Sequence, residues 1–288
     1  MSDLVQLAIA PTVASLLILA IHAYLGLHVI QRGIIFVDLA FAQVAALGTT
    51  VGVVMGVQIG TPESLGLAFL FTLIGAGIFS LTRMENSPVP QEAIIGIVYV
   101  VASAAVILFA GMTAEGAEHI KETLTGTLIW VDWPTIGRMA AGYAVIALIH
   151  VALRKQFLAV SFTPERTSHL RLWDFVFFVT FGIVISLSVE VAGVLMVFST
   201  LVIPAVVAFL FTDRFSHALF VAWGVGTVAI ILGIFTSFTW DVATGPLLVC
   251  SFGLVLVVGG LVRKLTHAHP DTRIHSEIME ELEVEVAD

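Results

Sequence analysis

The sequence predicts an all-α membrane protein, a polytopic bundle of about eight or nine transmembrane helices. Of the 288 residues, 59% are hydrophobic and only 11% are charged, and the charges cluster between apolar runs long enough to cross a bilayer. Stretches such as Leu65 to Leu81 and Ala192 to Phe211 contain no charged residue, whereas the surface helices of a soluble protein carry regularly spaced charges.

Nine apolar runs approach the length of roughly 20 residues that a helix needs to cross the hydrocarbon core. They lie at about Val5 to Ile30, Ile34 to Val57, Leu65 to Leu81, Ala93 to Met112, Met139 to Leu153, Phe175 to Val189, Val191 to Phe211, Ala218 to Thr236 and Gly245 to Val262. Because almost nothing separates the sixth run from the seventh, these two can also form one long bent segment, which reduces the count of helices.

Basic residues occupy alternate loops between these runs, which predicts the orientation of the chain. They are Arg32, Arg83, Arg154, Lys155, Arg166, Arg171, Arg214, Arg263 and Lys264. The intervening loops are mainly acidic, with Lys121 and Arg138 as exceptions. Since loops rich in lysine and arginine stay in the cytoplasm, we expect a cytoplasmic C-terminus. The N-terminus is expected outside if there are nine spans and inside if there are eight.

The chain is expected to form one transmembrane domain at residues 1–264, followed by a polar, His/Glu-rich cytoplasmic tail at 265–288. His267, His269 and His275 in this tail form a weak metal-binding pattern, and a solvated tail is the preferred interpretation. Nucleic acid is not an expected partner, because much of the net charge of -9 comes from the tail. The sequence has no GxxxxGK[ST] phosphate-binding loop, so we expect no enzyme but a protein driven by a gradient or a partner.

Asp38 and Gln43 are polar residues at the start of an otherwise apolar run, and both are candidates for a translocation path. A carboxylate within a membrane is costly, which makes a functional role the default hypothesis for Asp38. The alternative is that Asp38 lies at the interface and pairs with the nearby Arg32. Gln43 can equally form a hydrogen bond between helices without a role in transport.

His22 and His28 lie in the first apolar run and, together with Asp38, are the candidate metal ligands. The reason is that a neutral imidazole can bind a first-row cation. No close repeat of histidine or carboxylate completes a site around them in the sequence. The alternative for each histidine is a buried hydrogen bond.

The seventh run combines a proline with hydroxyl groups, a pattern that favours a bent helix. Pro204 cannot donate a hydrogen bond to the carbonyl of Thr200, so we expect a kink there. The hydroxyls of Ser199 and Thr200 are available to the loosened backbone, and Glu190 is a candidate for an outer vestibule. A kink at mid-span suits a moving translocation path, and it also suits static packing.

The segment EVAGVLMVFSTLVIPAVVAFL at Glu190 to Leu210 is similar to the helix G-V-L-L-V-x-x-L-L-I-I-P-A-x-x-A of bacterial metal-ion ABC importers, the zinc/manganese/iron-type permeases. Further segments that resemble this family are QRGIIFVDLAFAQVAALG, QEAIIGIVYVVASAAVIL and TGPLLVCSFGLVLVV, so the resemblance covers most of residues 10–262. Where relatives carry a histidine in their L-A-H-A segment, this chain has Gln43. Asp38 is offset by about one position from the usual aspartate.

The loop sequence SFTPERTSHLRLWDF resembles the family segment F-D-P-E-x-A-x-x-x-G, which implies a surface that docks an ATPase. The implied ATPase contacts are Pro164, Glu165, Arg166, His169 and Arg171. The resemblance also implies a permease of the bacterial inner membrane, whose two copies form a homodimer around the path. The implied partners are cytoplasmic ABC ATPase subunits and an extracytoplasmic metal-binding protein. The implied cargo is a divalent zinc, manganese or iron ion, with no permanently bound cofactor.

Two other functions stay open at the level of the sequence. A gradient-driven secondary transporter is expected to have several intramembrane carboxylates or inverted repeats with broken helices, and neither is clear in this chain. A membrane scaffold without transport activity is favoured if the polar membrane residues prove dispensable. Neighbouring genes for a nucleotide-binding subunit and a secreted binding protein would favour the importer.

Overall fold

The computed structural model describes residues 2–83, 89–113 and 116–266, with the backbone alone at 2–6, 116, 117, 119 and 166. The α-helices in these ranges are α1 Ser2–Arg32, α2 Val37–Val54, α3 Pro62–Thr82, α4 Gln91–Ala110, α5 Gly116–Thr125, α6 Trp133–Ala152, α7 Arg154–Phe162, α8 Leu170–Phe211, α9 Phe215–Trp240 and α10 Thr244–Thr266. Single 3-10 turns lie at Leu128–Trp130 and Pro164–Arg166. Within the described ranges, 8 helices are long and apolar enough to cross a membrane, which confirms the all-α membrane bundle.

Capping side chains help to fix where two of the spanning helices begin. The Thr61 hydroxyl accepts a hydrogen bond from the backbone N–H of Ser64 at 3.3 Å, and Pro62 lies in the first turn of α3. At the start of α6, the Asp132 carboxylate accepts the N–H of Thr135 at 3.0 Å. Both caps satisfy N–H groups that have no partner inside the helix, so each helix starts directly after a polar loop residue.

The longest helix, α8, folds back on itself. Within α8, non-helical backbone dihedrals occur at Gly193, with φ 74° and ψ 160°. The rings of Phe177, near the start of α8, and Phe215, just beyond its end, lie 5.8 and 5.2 Å from the ring of His28. A straight helix from residue 177 to 211 would be about 50 Å long. Both rings can therefore reach His28 only if α8 turns back at Gly193.

The bend divides α8 into a first leg, residues 170–192, and a second leg, residues 194–211. Each leg is about 27–35 Å long, enough to cross the hydrocarbon core once. The sixth and seventh apolar runs of the sequence are thus two crossings within one bent helix. The long helices of the described chain therefore provide nine crossings.

Successive crossings alternate between two ends of the bundle. At one end, which we call the basic end, Arg32 and Arg83 both bind Asp174 at the start of α8. At the opposite end, the backbone of Gly126 lies against the bend at Gly193. The other basic loop residues follow the same alternation and lie at the basic end: Arg154, Lys155, Arg171, Arg214, Arg263 and Lys264. The chain enters α1 at the opposite end and leaves α10 at the basic end.

The helices α1, α2 and α8 form the buried centre of the bundle, and the others surround them. Phe41 of α2 packs against Phe79 of α3 and against Phe178 and Phe181 of the first leg, with ring centroids 5.1, 6.2 and 5.8 Å away. The outer helices expose apolar side chains such as Leu108 of α4. Such faces suit contact with lipid tails or with another apolar helix.

Only the first two residues of the predicted tail at 265–288 are described, and they complete α10 at Thr266. The tail histidines His267, His269 and His275 lie outside the described residues. The division into a domain at 1–264 and a polar tail therefore stays a prediction.

Candidate functional site

Charged side chains from three parts of the chain meet inside the basic end. Asp174 binds Arg32 of α1, and Nη1 of Arg83, which follows α3, donates to both oxygens of Asp174 at 2.6 and 2.8 Å. The guanidinium of Arg32 lies over the rings of Phe177 and Phe178, 4.4 and 4.9 Å from their centroids. One buried carboxylate thus joins two guanidinium groups and ties the start of α8 to α1 and α3.

Asp38 lies in the first turn of α2, with 1% of its surface exposed. Its Oδ1 accepts the N–H of Leu39 at 2.8 Å, and its Oδ2 has no hydrogen-bond partner in the described chain. The alternative that Asp38 pairs with Arg32 is wrong, because Arg32 binds Asp174. Gln43 is also buried, but a separation of five residues turns it about 140° around α2, so the two side chains point to different sides.

His22 and His28 are fully buried in α1. Nδ1 of His22 lies 2.9 Å from the carbonyl oxygen of Ile18, and Nδ1 of His28 lies 2.8 Å from Oγ of Ser161. In both rings Nε2 has no hydrogen-bond partner within the described chain. No group of three His, Cys, Asp or Glu side chains in the described ranges is placed to hold a metal ion. The structure thus does not bring His22, His28 and Asp38 together.

A polar and aromatic cluster joins the short helix α7 to the centre of the bundle. Besides the contact of His28 with α7, His150 at the end of α6 lies 3.2 Å from the hydroxyl of Tyr24 and 2.9 Å from that of Thr180. The ring of His150 stacks on Phe157 of α7 with centroids 4.1 Å apart. Phe157 also packs edge-on against Phe177 of α8, with centroids 5.9 Å apart. These contacts connect α7 to α1, to α6 and to the first leg of α8, so a displacement of α7 disturbs all three.

The second leg of α8 contains most of the remaining path candidates. Ser199 and Thr200 are buried and donate their hydroxyls to the carbonyls four residues earlier, at 2.8 Å each. They are therefore not bonded to the carbonyl that Pro204 leaves free. Pro204 is buried, and the non-helical bend of α8 is at Gly193 instead. Glu190 is exposed beside this bend, at the opposite end of the bundle.

The bend of α8 is held by the segment that follows α5. Gly193 and Gly126 have φ of +74° and +71°, a region that only glycine adopts freely. A Cβ atom on Gly193 would overlap the backbone nitrogen of Gly126, and one on Gly126 would overlap the carbonyl of Ala192. The N–H of Thr127 donates to the carbonyl of Val191 at 3.0 Å. Two backbones therefore meet here at a distance that leaves no room for side chains.

The candidate ATPase contacts all lie at the basic end. Pro164, Glu165 and Arg166 form the 3-10 turn after α7, and His169 and Arg171 flank the start of α8. Glu165, His169 and Arg171 are exposed, and the side chain of Arg166 is outside the described part of the chain. His169 has φ 56°, in the left-handed region. We call residues 154–171, which comprise α7, this turn and the start of α8, the docking surface.

Sequence reasoning missed Asp174, Arg83 and Ser161 as parts of the site. A signal exists for Asp174, because it is a carboxylate at the edge of the apolar run at 175–189. Ser161 has no comparable signal, since its role depends on His28, which is 133 residues away in the chain.

The model of the ABC 3 transport family matches residues 3–263 of this chain. Among relatives, the chelated iron transport system membrane protein YfeD of Yersinia pestis is 28% identical over 218 residues, which cover 72% of this chain and 70% of that protein. The manganese transport system membrane protein MntC of Halalkalibacterium halodurans is 26% identical over 247 residues, which cover 82% of this chain and 80% of that protein.

The fold is similar to that of a solved structure of PsaBC from Streptococcus pneumoniae in complex with a Fab. The TM-score is 0.71 at 20% identity, and the likeness covers 87% of this chain and 89% of that chain. Because the family model matches nearly the whole chain, this protein belongs to the ABC 3 transport family, and it is a transporter permease rather than an enzyme.

Proposed function

We propose that this chain is the permease subunit of an importer for a divalent metal ion, and that separate ATPase subunits supply its energy. The family match over residues 3–263 carries the proposal. Similar proteins are named as iron and manganese transport proteins, so we propose manganese or iron as cargo, with zinc as the third member of the same class. The ion is cargo rather than a resident cofactor.

The basic end is proposed to face the cytoplasm of a bacterial cell, with the protein in the inner membrane. The support is the concentration of arginine and lysine at that end, since such loops are retained on the cytoplasmic side. With nine crossings, this orientation places the N-terminus outside and the C-terminus inside. Lys121, at the opposite end, forms an ion pair of 3.3 Å with Glu118, so its charge is balanced locally.

The docking surface is proposed to receive the ATPase. Its exposed residues include basic side chains, and α7 is tied to α1, α6 and the first leg of α8 by buried contacts. ATP binding in the partner would shift α7, and this shift would change the balance between two arrangements of the legs of α8. Such a change opens the path alternately to each side of the membrane.

Two further partners complete the proposal. The described residues of α4 and α10 leave apolar side chains such as Val101 and Leu254 exposed, which suits a homodimer whose two copies enclose the path. An extracytoplasmic metal-binding protein is proposed to deliver the ion at the opposite end, where Glu190 is exposed.

The proposed path runs along or beside five buried residues of α2 and of the second leg of α8. They are Asp38, Gln43, Ser199, Thr200 and Pro204.

Uptake of radiolabelled manganese, iron and zinc tests the proposed cargo. Cells that lack the chain are complemented with the wild type, Asp38→Asn or Gln43→His, together with Asp241→Asn as a matched control at an exposed position. We expect the wild type to restore uptake of one of the ions, Asp38→Asn to lower it and the control to leave it unchanged. If cells complemented with the wild-type chain gain no uptake of any of these ions, the proposal is contradicted.

Co-purification tests the docking surface. Arg171→Glu and Arg166→Glu reverse charges on that surface, and Arg138→Glu reverses an exposed charge at the opposite end. We expect the ATPase to be lost from the first two variants and retained by the third. Equal retention by all three would place the ATPase elsewhere.

A further inference from the structure

A groove of about 780 Å³ opens on the flank of the bundle between α1, α6, α7 and α9. Its walls are mainly apolar, with Ala144 and Ala147 from α6 and Leu219 and Trp223 from α9. The volume falls within the range of small-molecule sites, about 300–1,000 Å³. None of the path candidates lines this groove, so it is a feature separate from the proposed path.

The groove extends over the depth of one leaflet of the bilayer. Along α6 it runs from Ala140 to Val151, a rise of about 16 Å. Half of the hydrocarbon core is about 15 Å thick. The groove ends at the basic end, where Arg154 begins α7 and takes part in the lining. Its length and position thus match an acyl chain of the leaflet at the basic end.

Two polar groups in the walls form hydrogen bonds within the protein. The hydroxyl of Tyr24 lies 3.2 Å from Nδ1 of His150, and Nε1 of Trp223 donates to the carbonyl of Ala20 at 3.0 Å. Two more polar lining residues, Tyr143 and His150, are also hydrogen-bonded within the protein, to Ser188 and Thr180. Apart from Ser216 and Arg154 near the basic end, the other lining residues are apolar. An occupant of this part of the groove needs no hydrogen-bonding groups, which fits an aliphatic chain.

The end of the groove beside α7 is positively charged. Arg154 lines it, Lys155 follows in α7, and Arg214 directly precedes Phe215, which also lines it. All three basic residues are exposed, and Asp213 is the acidic neighbour in the same connection. Basic side chains at the membrane surface attract anionic lipids.

We propose that this groove binds one anionic phospholipid, with an acyl chain between α6 and α9 and the phosphate at Arg154 and Arg214. The argument combines an apolar channel one leaflet deep with a cationic mouth. Because Arg154 and Leu158 of α7 form part of the wall, the lipid packs against the docking surface and supports it. The proposal does not depend on which ion the protein carries.

Fluorescence quenching tests this proposal through Trp223, which lies in the groove. A full-length variant retains Trp223 as its one tryptophan after the substitutions Trp130→Phe, Trp133→Phe, Trp173→Phe and Trp240→Phe. It is reconstituted with brominated phosphatidylglycerol or with brominated phosphatidylcholine. We expect the anionic lipid to quench at a lower mole fraction, by roughly fivefold for each basic residue that contacts the phosphate. Equal quenching by both lipids, or no quenching by either, would overturn the proposal.

Native mass spectrometry of the otherwise unmodified chain gives an independent measurement. Ala144→Phe fills the groove, and Ala141→Phe adds the same side chain at an exposed position of α6 outside it. We expect one phosphatidylglycerol to remain on the wild type and on Ala141→Phe and to be lost from Ala144→Phe. Retention of the lipid by the wild type and by both variants would contradict a lipid in this groove. A second protein chain bound in place of the lipid would contradict it too.

Discussion

Each end of the bundle is stabilised by a different kind of interaction. At the basic end, Arg32, Arg83 and Asp174 form a buried ionic cluster, and His28 reaches α7 through a hydrogen bond. At the opposite end, the chain after α5 meets the bend of α8 through the close approach of glycine backbones at Gly193.

This difference separates two mechanical roles. Charged and polar contacts are directional and costly to break in a buried place, so they keep the docking surface in register with the helices behind it. The contact at the opposite end consists of close backbone packing and the hydrogen bond from Thr127 to Val191, and we expect it to separate at a lower cost than the ionic cluster. We therefore expect the basic end to move as a unit and the opposite end to hinge.

The largest effect is expected from removing the shared carboxylate at the basic end. Asp174→Ala leaves the buried guanidinium of Arg32 without an anion, which should destabilise the protein by about 3–5 kcal/mol. Thermal unfolding of the purified protein measures this loss. The double variant Arg32→Met and Asp174→Leu should recover most of the stability, because Arg83 is 18% exposed and can turn toward water. If Asp174→Ala is as stable as the wild type, the buried ionic cluster does not stabilise the basic end, and the contrast between the two ends is wrong.

The next effect concerns the contact at the opposite end. Gly193→Ala introduces a Cβ that overlaps the backbone of Gly126 and strains a positive φ, for a combined cost of about 2–4 kcal/mol. Gly137→Ala is the matched control, because a Cβ at this helical position meets nothing within 4 Å. Both variants can be compared by thermal unfolding. If Gly193→Ala unfolds at the same temperature as the wild type, the two backbones are far enough apart to admit a side chain, which would contradict this prediction.

A smaller effect is expected at the connection between α1 and α7. Ser161→Ala removes the partner of the buried His28 ring, at a cost of about 1–3 kcal/mol. From the proposed coupling to an ATPase, we also expect less transport per ATP hydrolysed, because α7 is less firmly tied to α1. A double-mutant cycle with His28→Leu measures the interaction between the two side chains. Additive losses in that cycle would show that the two residues act independently.

The smallest effect is a dependence on pH at the start of α6. The hydrogen bonds from Thr135 lower the pKa of Asp132 below its ordinary value. The stabilisation by this cap is therefore complete above the pKa of the unfolded chain and is lost as the pH falls through the lower pKa of the folded chain. Thermal unfolding of the wild type and Asp132→Asn should show a difference that shrinks on acidification. If the difference in unfolding temperature between the two proteins grows as the pH falls, the Asp132 carboxylate does not stabilise the start of α6 in its charged form, which would contradict this prediction.

The fold could be predicted from the sequence because membrane crossings appear as long apolar runs. The basic residues of alternate loops predicted which helix ends lie on the same side of the bundle. The joining of two runs into one bent helix could not be decided, because it depends on the contact between Gly193 and Gly126. The site was predicted less well. Asp38 was recognisable as a costly carboxylate, but the sequence left open whether it pairs with Arg32. The actual partner, Asp174, follows from the packing of α8 against α1.

Cross-linking tests most directly the claim that the ATPase acts on the basic end. In a chain with Cys250→Ser, cysteine is introduced by His169→Cys on the docking surface or by Asp241→Cys at the opposite end, and the assembled complex is treated with a short cross-linker. We predict that the ATPase subunit is captured from position 169 and not from position 241. Capture from position 241 alone, or from neither position in an active complex, would contradict the account.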